Sequence, residues 1–329
     1  MLTACGGGSG GSATSENTPT ASQPVSQPSV AIITAAPPTP TYAVGSEELA
    51  AFDQINLSRS KCGFGTLRQN QAIDMAVLNH VTWESENSTF SHYETPNTTG
   101  FTGADPGARL NYAGYKWTSF GEVMSGLPVA LKAGFGLHGM RLLLAAPYHL
   151  MGLMQGSREI GISVKTSGPT GSGTDIPYPS AASATWLVAD MGSNVATFPF
   201  QVQSTTDVLT YPCQGITNTV TKLENESPNP ITNRNLSTTP IGQPVFVQVA
   251  AGQTLSITTA SIVTTIGSNP VLVAKTLTAA NDDNHMITGN QAIIIPDAPL
   301  AANTEYSVTI QGTNNGAMFL KSFTFTTGA

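Results

Sequence analysis

Charged side chains are scarce in this chain. Asp, Glu, Lys and Arg make up 10% of its 329 residues, whereas they account for roughly 25% of typical soluble domains. The net charge is -7 at pH 7 and no cluster of Lys and Arg is present, so no group of cations could neutralise the phosphates of a nucleic acid. Nucleic acid is therefore excluded as a partner. The Gly, Ser, Thr, Asn and Pro that replace the charges are typical of exported bacterial proteins.

Long apolar runs and the usual protease motifs are also lacking. The best candidate for a transmembrane helix, residues 123–154, is interrupted by Pro128, Lys132, Arg141 and Pro147 before about 18 apolar residues accumulate. We expect helices buried under a sheet there. The sequence has no helical His-Glu-x-x-His and no Gly-x-Ser-x-Gly elbow between a strand and a helix, so neither usual hydrolase signature is present.

The N-terminal residues have the composition of a lipid-anchored tether. Leu2-Thr3-Ala4-Cys5 resembles a lipobox, where an exported lipoprotein is cleaved and acylated on cysteine. A basic and an apolar segment do not precede it, so either translation starts upstream or the match is accidental. Residues 6–42 are mostly Gly, Ser, Thr, Pro, Ala and Gln with one charge, Glu16, and such a segment cannot bury enough surface to fold. We therefore assign residues 1–45 to a disordered tether, with acylated Cys5 as a membrane anchor.

The chain has only three cysteines. If lipid modifies Cys5, Cys62 and Cys213 remain, one near each end of the segment 46–213. In an oxidising compartment such a pair predicts a disulfide that closes a long loop. The alternative is a pair of buried free thiols.

Helical and strand patterns alternate in residues 46–213, which we call the first unit. Ser46 has the side chain of an N-cap, and apolar spacing predicts helices from there to Cys62 and from about residue 70. Residues 85–120 are rich in Gly, Asn, Thr and Pro and predict a long loop that carries His92. A strand near 121–124, helices to about 154, and strands at 160–164 and 185–192 follow.

Residues 214–329, the second unit, lack helical periodicity. Short β-rich runs separated by Gly, Pro and Asn predict a β-sandwich. The runs Thr304-Glu305-Tyr306-Ser307-Val308 and Ser322-Phe323-Thr324-Phe325-Thr326-Thr327 resemble bacterial Ig-like domains of surface proteins. We interpret this unit as a spacer or an adhesion module.

The chemistry-bearing residues occur in an ordered series. In chain order it runs Asn56-Leu57-Ser58-Arg59, Gly65-Thr66-Leu67-Arg68-Gln69-Asn70, His80, Ser91-His92, Arg109, Gly114-Tyr115, Gly121-Glu122, His149 and Glu159-Ile160-Gly161-Ile162. In order and spacing, residues 46–200 resemble the bacterial branch of the CAP superfamily, the SCP-like group that includes cysteine-rich secretory proteins, antigen 5 and pathogenesis-related proteins.

This resemblance implies an α+β fold, a CAP-type α-β-α sandwich followed by the all-β Ig-like unit, with a cleft lined by His92, Glu122 and His149. His149 lies eleven residues before Ile160, near the family's spacing, and His138 lies too far away. The family usually has Asn after its cleft glutamate, whereas this chain has Val123. The fourth cleft position is an acid, for which Glu94 is the nearest residue although its spacing differs.

Two other residues of the series receive structural assignments. His80 lies on an apolar helical face, where we expect a core histidine paired with Glu84. Arg109 is expected to clamp the long loop through a buried carboxylate.

Three functions remain open for an exported protein of the bacterial cell envelope or exterior. The first is a module that binds a small apolar or peptide ligand, such as a lipid or sterol. The second is a metal-dependent hydrolase in which His92 and His149 hold a divalent metal such as zinc, with Glu122 and His92 as the candidate catalytic residues. The third is a structural surface protein whose cleft is idle.

Overall fold

The computed structural model describes residues 2–4, 29–87, 89–127, 133–167, 184–194 and 198–329. Within these ranges the chain is an α+β protein. Its helices are α1 (Glu47–Cys62), α2 (Gln71–Asn87), α3 (Pro106–Tyr112), α4 (Phe135–Leu143) and α5 (Pro147–Met154).

Helix ends follow the local sequence. Ser46 caps α1 by accepting a hydrogen bond from the Leu49 amide at 3.1 Å, and Gly63 ends the helix in the left-handed conformation. Helix α3 lies inside the segment predicted as a loop. Its N-cap is Asp105, which accepts from the Ala108 amide at 2.8 Å, and Pro106 occupies the first turn. The Asp-Pro pair therefore begins a helix where composition predicted none.

A sheet in the order β1-β4-β6-β5-β3 forms the centre of the first unit. Its strands are β1 (Leu2–Ala4), β3 (Arg68–Gln69), β4 (Ser119–Leu127), β5 (Glu159–Ser167) and β6 (Ala184–Ser193). Helix α2 packs on one face through Val77 and Val81 against Met124. Helices α1, α4 and α5 contribute to the apolar cluster on the other face, which includes Val123 and Leu187. The sheet is thus a layer between two layers of helices.

The second unit contains two four-stranded sheets, in the orders β12-β13-β10-β8 and β11-β14-β15-β9. Apolar side chains from both sheets, Ile294 and Phe325 among them, belong to one buried cluster, as in a β-sandwich. The strands are β8 (Leu209–Tyr211), β9 (Ile216–Thr219), β10 (Val245–Gln248), β11 (Leu255–Thr264), β12 (Val273–Thr278), β13 (Gln291–Pro296), β14 (Glu305–Asn314) and β15 (Ala317–Thr327).

The predicted tether is shorter than expected. Strand β2 (Ser29–Ala31) pairs in parallel with β7 (Phe200–Val202), and the Tyr42 hydroxyl donates to Asp74 at 2.5 Å. Residues 29–45 are therefore attached to the first unit and do not form a free stalk. Cys5 lies outside the described residues, whereas Leu2–Ala4 pairs with β4.

The two units share one apolar core. Phe64 of the first unit stacks on Phe246 of the second, with ring centroids 6.1 Å apart, and both belong to the largest buried cluster. The predicted disulfide between Cys62 and Cys213 is confirmed. Strand β8 pairs with β10, so the sheet of the second unit begins before the predicted boundary at residue 213. Within the described ranges no helix is long and apolar enough to cross a membrane.

Candidate functional site

The side chain of Glu122 points to the α2 face of the central sheet. Successive strand residues face opposite sides, and the next residue, Val123, faces Gly152 of α5 on the other side. Glu122 therefore shares its face with Met124, which packs against α2. Asp190 of β6 lies directly across from it in the sheet register. Two carboxyl groups are thus buried next to each other beneath α2 and the segment 89–105.

His92 and Arg109 hold the two oxygens of Glu122. His92 Nδ1 lies 2.7 Å from Glu122 Oε1, and the Arg109 guanidinium donates to Oε2 at 2.6 Å. Arg109 also donates to the backbone carbonyl of His92 at 2.9 Å. This confirms the expected role of Arg109, which fixes the loop through a buried carboxylate. All three side chains are buried.

A second histidine–carboxylate pair lies beside the first. His80 Nδ1 is 3.0 Å from Glu94 Oε1, and its Nε2 is 2.9 Å from the Ser91 carbonyl. The prediction that His80 pairs with Glu84 is wrong, because Glu84 accepts a hydrogen bond from the Ser91 amide instead. Glu94 also accepts the amide of Thr102 at 2.7 Å. Arg109 Nε lies 3.9 Å from Glu94 Oε1 and links the two pairs, which together we call the His92 site (His80, His92, Glu94, Arg109 and Glu122).

The buried carboxyl groups differ in charge. Burial raises the pKa of Asp190 well above its usual value, and the negative charge of Glu122 raises it further. Burial opposes ionisation of Glu122 as well, but the charge of Arg109 and the interactions with His80 and His92 together outweigh it and lower the pKa of Glu122 below its usual range. The pKa of Glu94 is lowered too, because hydrogen bonds from His80 and Thr102 outweigh its burial. Glu122 and Glu94 are therefore ionised, and Asp190 holds the proton.

This charge state fixes the tautomer of His92. An ionised Glu122 accepts a hydrogen bond from Nδ1–H, so in a neutral ring the lone pair is at Nε2. His92 Nε2 is buried and has no hydrogen-bond partner among the described residues. A buried acceptor that is left unpaired costs roughly 1–3 kcal/mol. The site thus offers one oriented acceptor to a hydrogen-bond donor.

His149 is engaged elsewhere. Its Nδ1 lies 3.4 Å from Oε1 of Glu226, a residue between β9 and β10, and the same oxygen accepts the Tyr148 amide at 2.7 Å. Burial raises the pKa of Glu226 well above its usual value. No described contact joins His149 to His92 or Glu122, so the predicted convergence of these three residues is not found. The structure brings together His92, Glu122 and Glu94 instead.

The donor set does not fit the predicted metal site. Zinc needs ligand atoms about 2 Å from the ion, and within the described ranges no group of three His, Cys, Asp or Glu side chains is arranged to hold a metal ion. Both oxygens of Glu122 are engaged by His92 and Arg109. The nitrogen of His92 that faces Glu122 is likewise occupied.

Two acidic residues of the buried polar network were missed from the sequence. Asp190 interrupts the apolar strand Trp186–Met191, and a carboxylate in such a run is a recognisable signal. Glu226 had no such signal, because it lies among polar residues and is buried only by the packing of the two units.

No protein-family model matches the chain, and no curated protein matches it either. Among solved structures the chain is similar to the crystal structure of an extracellular protein containing an SCP domain from Bacillus anthracis str. Ames, with 17% sequence identity and a TM-score of 0.34. The match covers 45% of this chain and 40% of that chain, so it spans less than half of either protein.

Proposed function

We propose that this chain is an exported CAP-type surface protein whose His92 site binds a small apolar or peptide ligand. The observation that carries the proposal is the buried Nε2 of His92, which has no partner among the described residues, on a ring oriented by Glu122 and Arg109. A ligand that donates one hydrogen bond to Nε2 would satisfy this acceptor. Glu122 holds the ring and Arg109 holds the backbone carbonyl of His92, so a ligand would meet Nε2 in a fixed orientation.

The side chains around His92 favour binding over hydrolysis. A serine hydrolase needs a nucleophile hydrogen-bonded to its histidine base, but Ser91 Oγ accepts the amide of Tyr93 at 3.0 Å. Glu122, the candidate acid or base, is held ionised by Arg109. The hydrolase hypothesis, for which the described side chains offer no fitting metal site, is tested by the turnover assay below.

Export is supported by the disulfide and by the composition. The bond between Cys62 and Cys213 is the kind found in oxidising compartments. We propose that the first unit is the CAP-type sandwich and that the second is an Ig-like spacer at the cell surface. Acylation of Cys5 would anchor the protein. The anchor is tested by the mass of the N-terminal peptide and by Cys5→Ser, which should move the protein from the membrane to the soluble fraction.

The ligand experiment uses the full chain with a sterol, oleyl alcohol and an N-acetylated dipeptide amide as probes, each of which carries a hydrogen-bond donor. Binding is measured by calorimetry and by thermal shift, because a ligand at 100 times its Kd stabilises the folded state by about 2.7 kcal/mol. We expect His92→Ala to weaken binding of the responding probe at least tenfold. The control is His285→Asn, which replaces an exposed histidine at φ 54° with a residue that tolerates that conformation.

The same samples distinguish the alternatives. Equal binding by wild type and His92→Ala, or no binding of any probe, would contradict the proposal. Turnover of an ester or peptide that is lost in His92→Ala and in a metal-free buffer would instead support the hydrolase.

A further inference from the structure

A cavity lies on the opposite face of the central sheet from Glu122. It has a volume of about 610 Å³ and opens between β4, α4 and residues 218–225 of the second unit. Ser125, His138, Arg141 and Leu142 line it from the first unit, and Val220 and Leu223 line it from the second. Ser125 is an odd-numbered residue of β4, on the face of Val123 and not of Glu122. The volume is in the range of pockets that bind small molecules.

Arg141 is a cation that forms no ion pair with any carboxylate of the described residues. Its Nε donates to Gln54 Oε1 at 3.1 Å, and Gln54 is itself held by a bond to Ser58 at 3.1 Å. Burial lowers the pKa of Arg141, and the nearby Tyr211 offsets this only in part. Its orientation is fixed through Nε, and its terminal nitrogens form the fork that binds carboxylates.

The other polar groups of the cavity add a second, independent feature. Ser125 is fully buried, and its hydroxyl has no hydrogen-bond partner among the described residues. Lys222 is compensated, because its ammonium lies 2.6 Å from Glu224. Burial and the charge of Arg141 lower the pKa of His138, so this imidazole is neutral at pH 7. Among the lining side chains, Arg141 is therefore the cation that no described carboxylate pairs, and Ser125 adds an unpaired hydroxyl.

We propose that this cavity is a binding site for an organic carboxylate with an apolar chain. The carboxylate pairs with the guanidinium of Arg141 and accepts a hydrogen bond from the Ser125 hydroxyl. The chain packs against Leu142, Val220 and Leu223. Both units supply walls, so the site exists only when they are joined. Fatty acids and peptides with a free C-terminus share this chemistry, and the experiment separates them.

The test measures binding of two pairs of probes to the full chain by calorimetry. Decanoate is compared with decanol, which has the chain but no charge, and the peptide Ala-Leu-Leu is compared with its C-terminal amide. We expect the acid of at least one pair to bind and its uncharged partner to bind at least tenfold more weakly. The acid that binds more tightly shows whether the cavity takes a fatty acid or the free C-terminus of a peptide.

Variants tie the binding to the cavity. Arg141→Gln should weaken binding of that acid at least tenfold, or about 1.4 kcal/mol, and Ser125→Ala should weaken it several-fold. Lys116→Gln removes the same charge from an exposed position and should change binding less than twofold. His92→Ala should also leave it unchanged, which separates this site from the His92 site. Arg141→Lys keeps the positive charge but lacks the planar guanidinium, so it should also weaken binding. It replaces Arg141→Gln in the test if that variant does not fold.

Three results would overturn the proposal. They are equal binding of acids and their uncharged partners, unchanged binding in both Arg141 variants, and no saturable binding of either acid by the wild type.

Discussion

At the scale of single residues, the fold buries three charged side chains in one network. Glu122, Arg109 and Glu94 are each at most 3% exposed, although charged residues are rarely buried unless they are paired. Each charge here has a partner of opposite sign within hydrogen-bond or ion-pair distance. Removing one partner should therefore cost far more than removing a surface charge.

Glu122→Gln tests this pairing. The change leaves Arg109 buried without its closest negative charge, and breaking such a pair costs roughly 3–5 kcal/mol. Urea denaturation at pH 7 should show a loss of unfolding free energy in this range. Glu224→Gln is the matched control, because Glu224 is 54% exposed and forms a surface pair with Lys222 worth about 0–1 kcal/mol. Similar losses of unfolding free energy in the two variants would contradict the buried pairing of Glu122 with Arg109.

Asp190→Asn tests the protonation of the second carboxyl. Burial and the charge of Glu122 raise the pKa of Asp190 in the folded state. Protonated Asp190 therefore contributes its full stabilisation at pH values below the pKa that it has in the unfolded chain. That contribution is lost as the pH rises through the folded pKa. Asn stays neutral at every pH, so the variant should gain stability relative to wild type as the pH rises from about 4 to 8.

Unfolding free energies at pH 4, 6 and 8 provide the measurement. The exposed Asp53 serves as control through Asp53→Asn, whose difference from wild type should not follow this trend. A difference for Asp190→Asn that is constant or falls with rising pH would show that this carboxyl is ionised in the folded protein.

At the scale of elements, the His92 site depends on how closely α2 approaches the sheet. Helix α2 carries His80 and packs on β5. Gly161 of β5 permits the contact, because a Cβ atom there would lie 2.3 Å from the Asp74 amide nitrogen and 2.4 Å from the Ile73 carbonyl carbon. Both neighbours are backbone atoms, so the whole helix would have to shift.

Gly161→Ala should therefore cost about 3 kcal/mol, at the upper end of overpacking effects. It should also weaken ligand binding at the His92 site, since His80 moves with α2. Gly289→Ala is the control, because nothing lies within 4 Å of an added Cβ and its φ is not in the left-handed region. The measurement is the thermal melting midpoint of both variants. Equal midpoints would mean that α2 does not pack as described.

At the scale of the whole molecule, the two units are joined by a disulfide and a common core. Cys62 and Cys213 are 151 positions apart, and closing loops of more than about 100 residues stabilises a folded protein by up to about 5 kcal/mol in the chain-entropy model. Tyr148 of α5 also donates to Asp282 of the second unit at 2.5 Å. Because buried side chains of both units pack in one cluster, we expect them to unfold together.

Calorimetry of wild type and of the double variant Cys62→Ala, Cys213→Ala tests this coupling. Both should show one transition, and the variant should melt at a lower temperature. A reducing agent should lower the midpoint of wild type and leave that of the variant unchanged. Two separate transitions in wild type would indicate independent cores.

Several features of this protein were determined by local sequence. Ser46 caps α1 because its hydroxyl reaches an amide three residues on, and the α+β character follows from apolar periodicities of 3.6 and 2. The pairing of Cys62 with Cys213 needed only the count of cysteines and an oxidising compartment. Arg109 was assigned to a buried carboxylate because a buried guanidinium needs one.

Only the tertiary structure decided which distant residues meet. Glu94 pairs with His80, and Glu226 lies against His149, because sheet register and the packing of two units bring together residues that are 14 and 77 positions apart. Residues 29–45 look disordered by composition, yet β7 supplies a strand edge for β2. Local patterns describe a segment's own backbone, whereas its partners depend on long-range packing, which spacing along the chain does not encode.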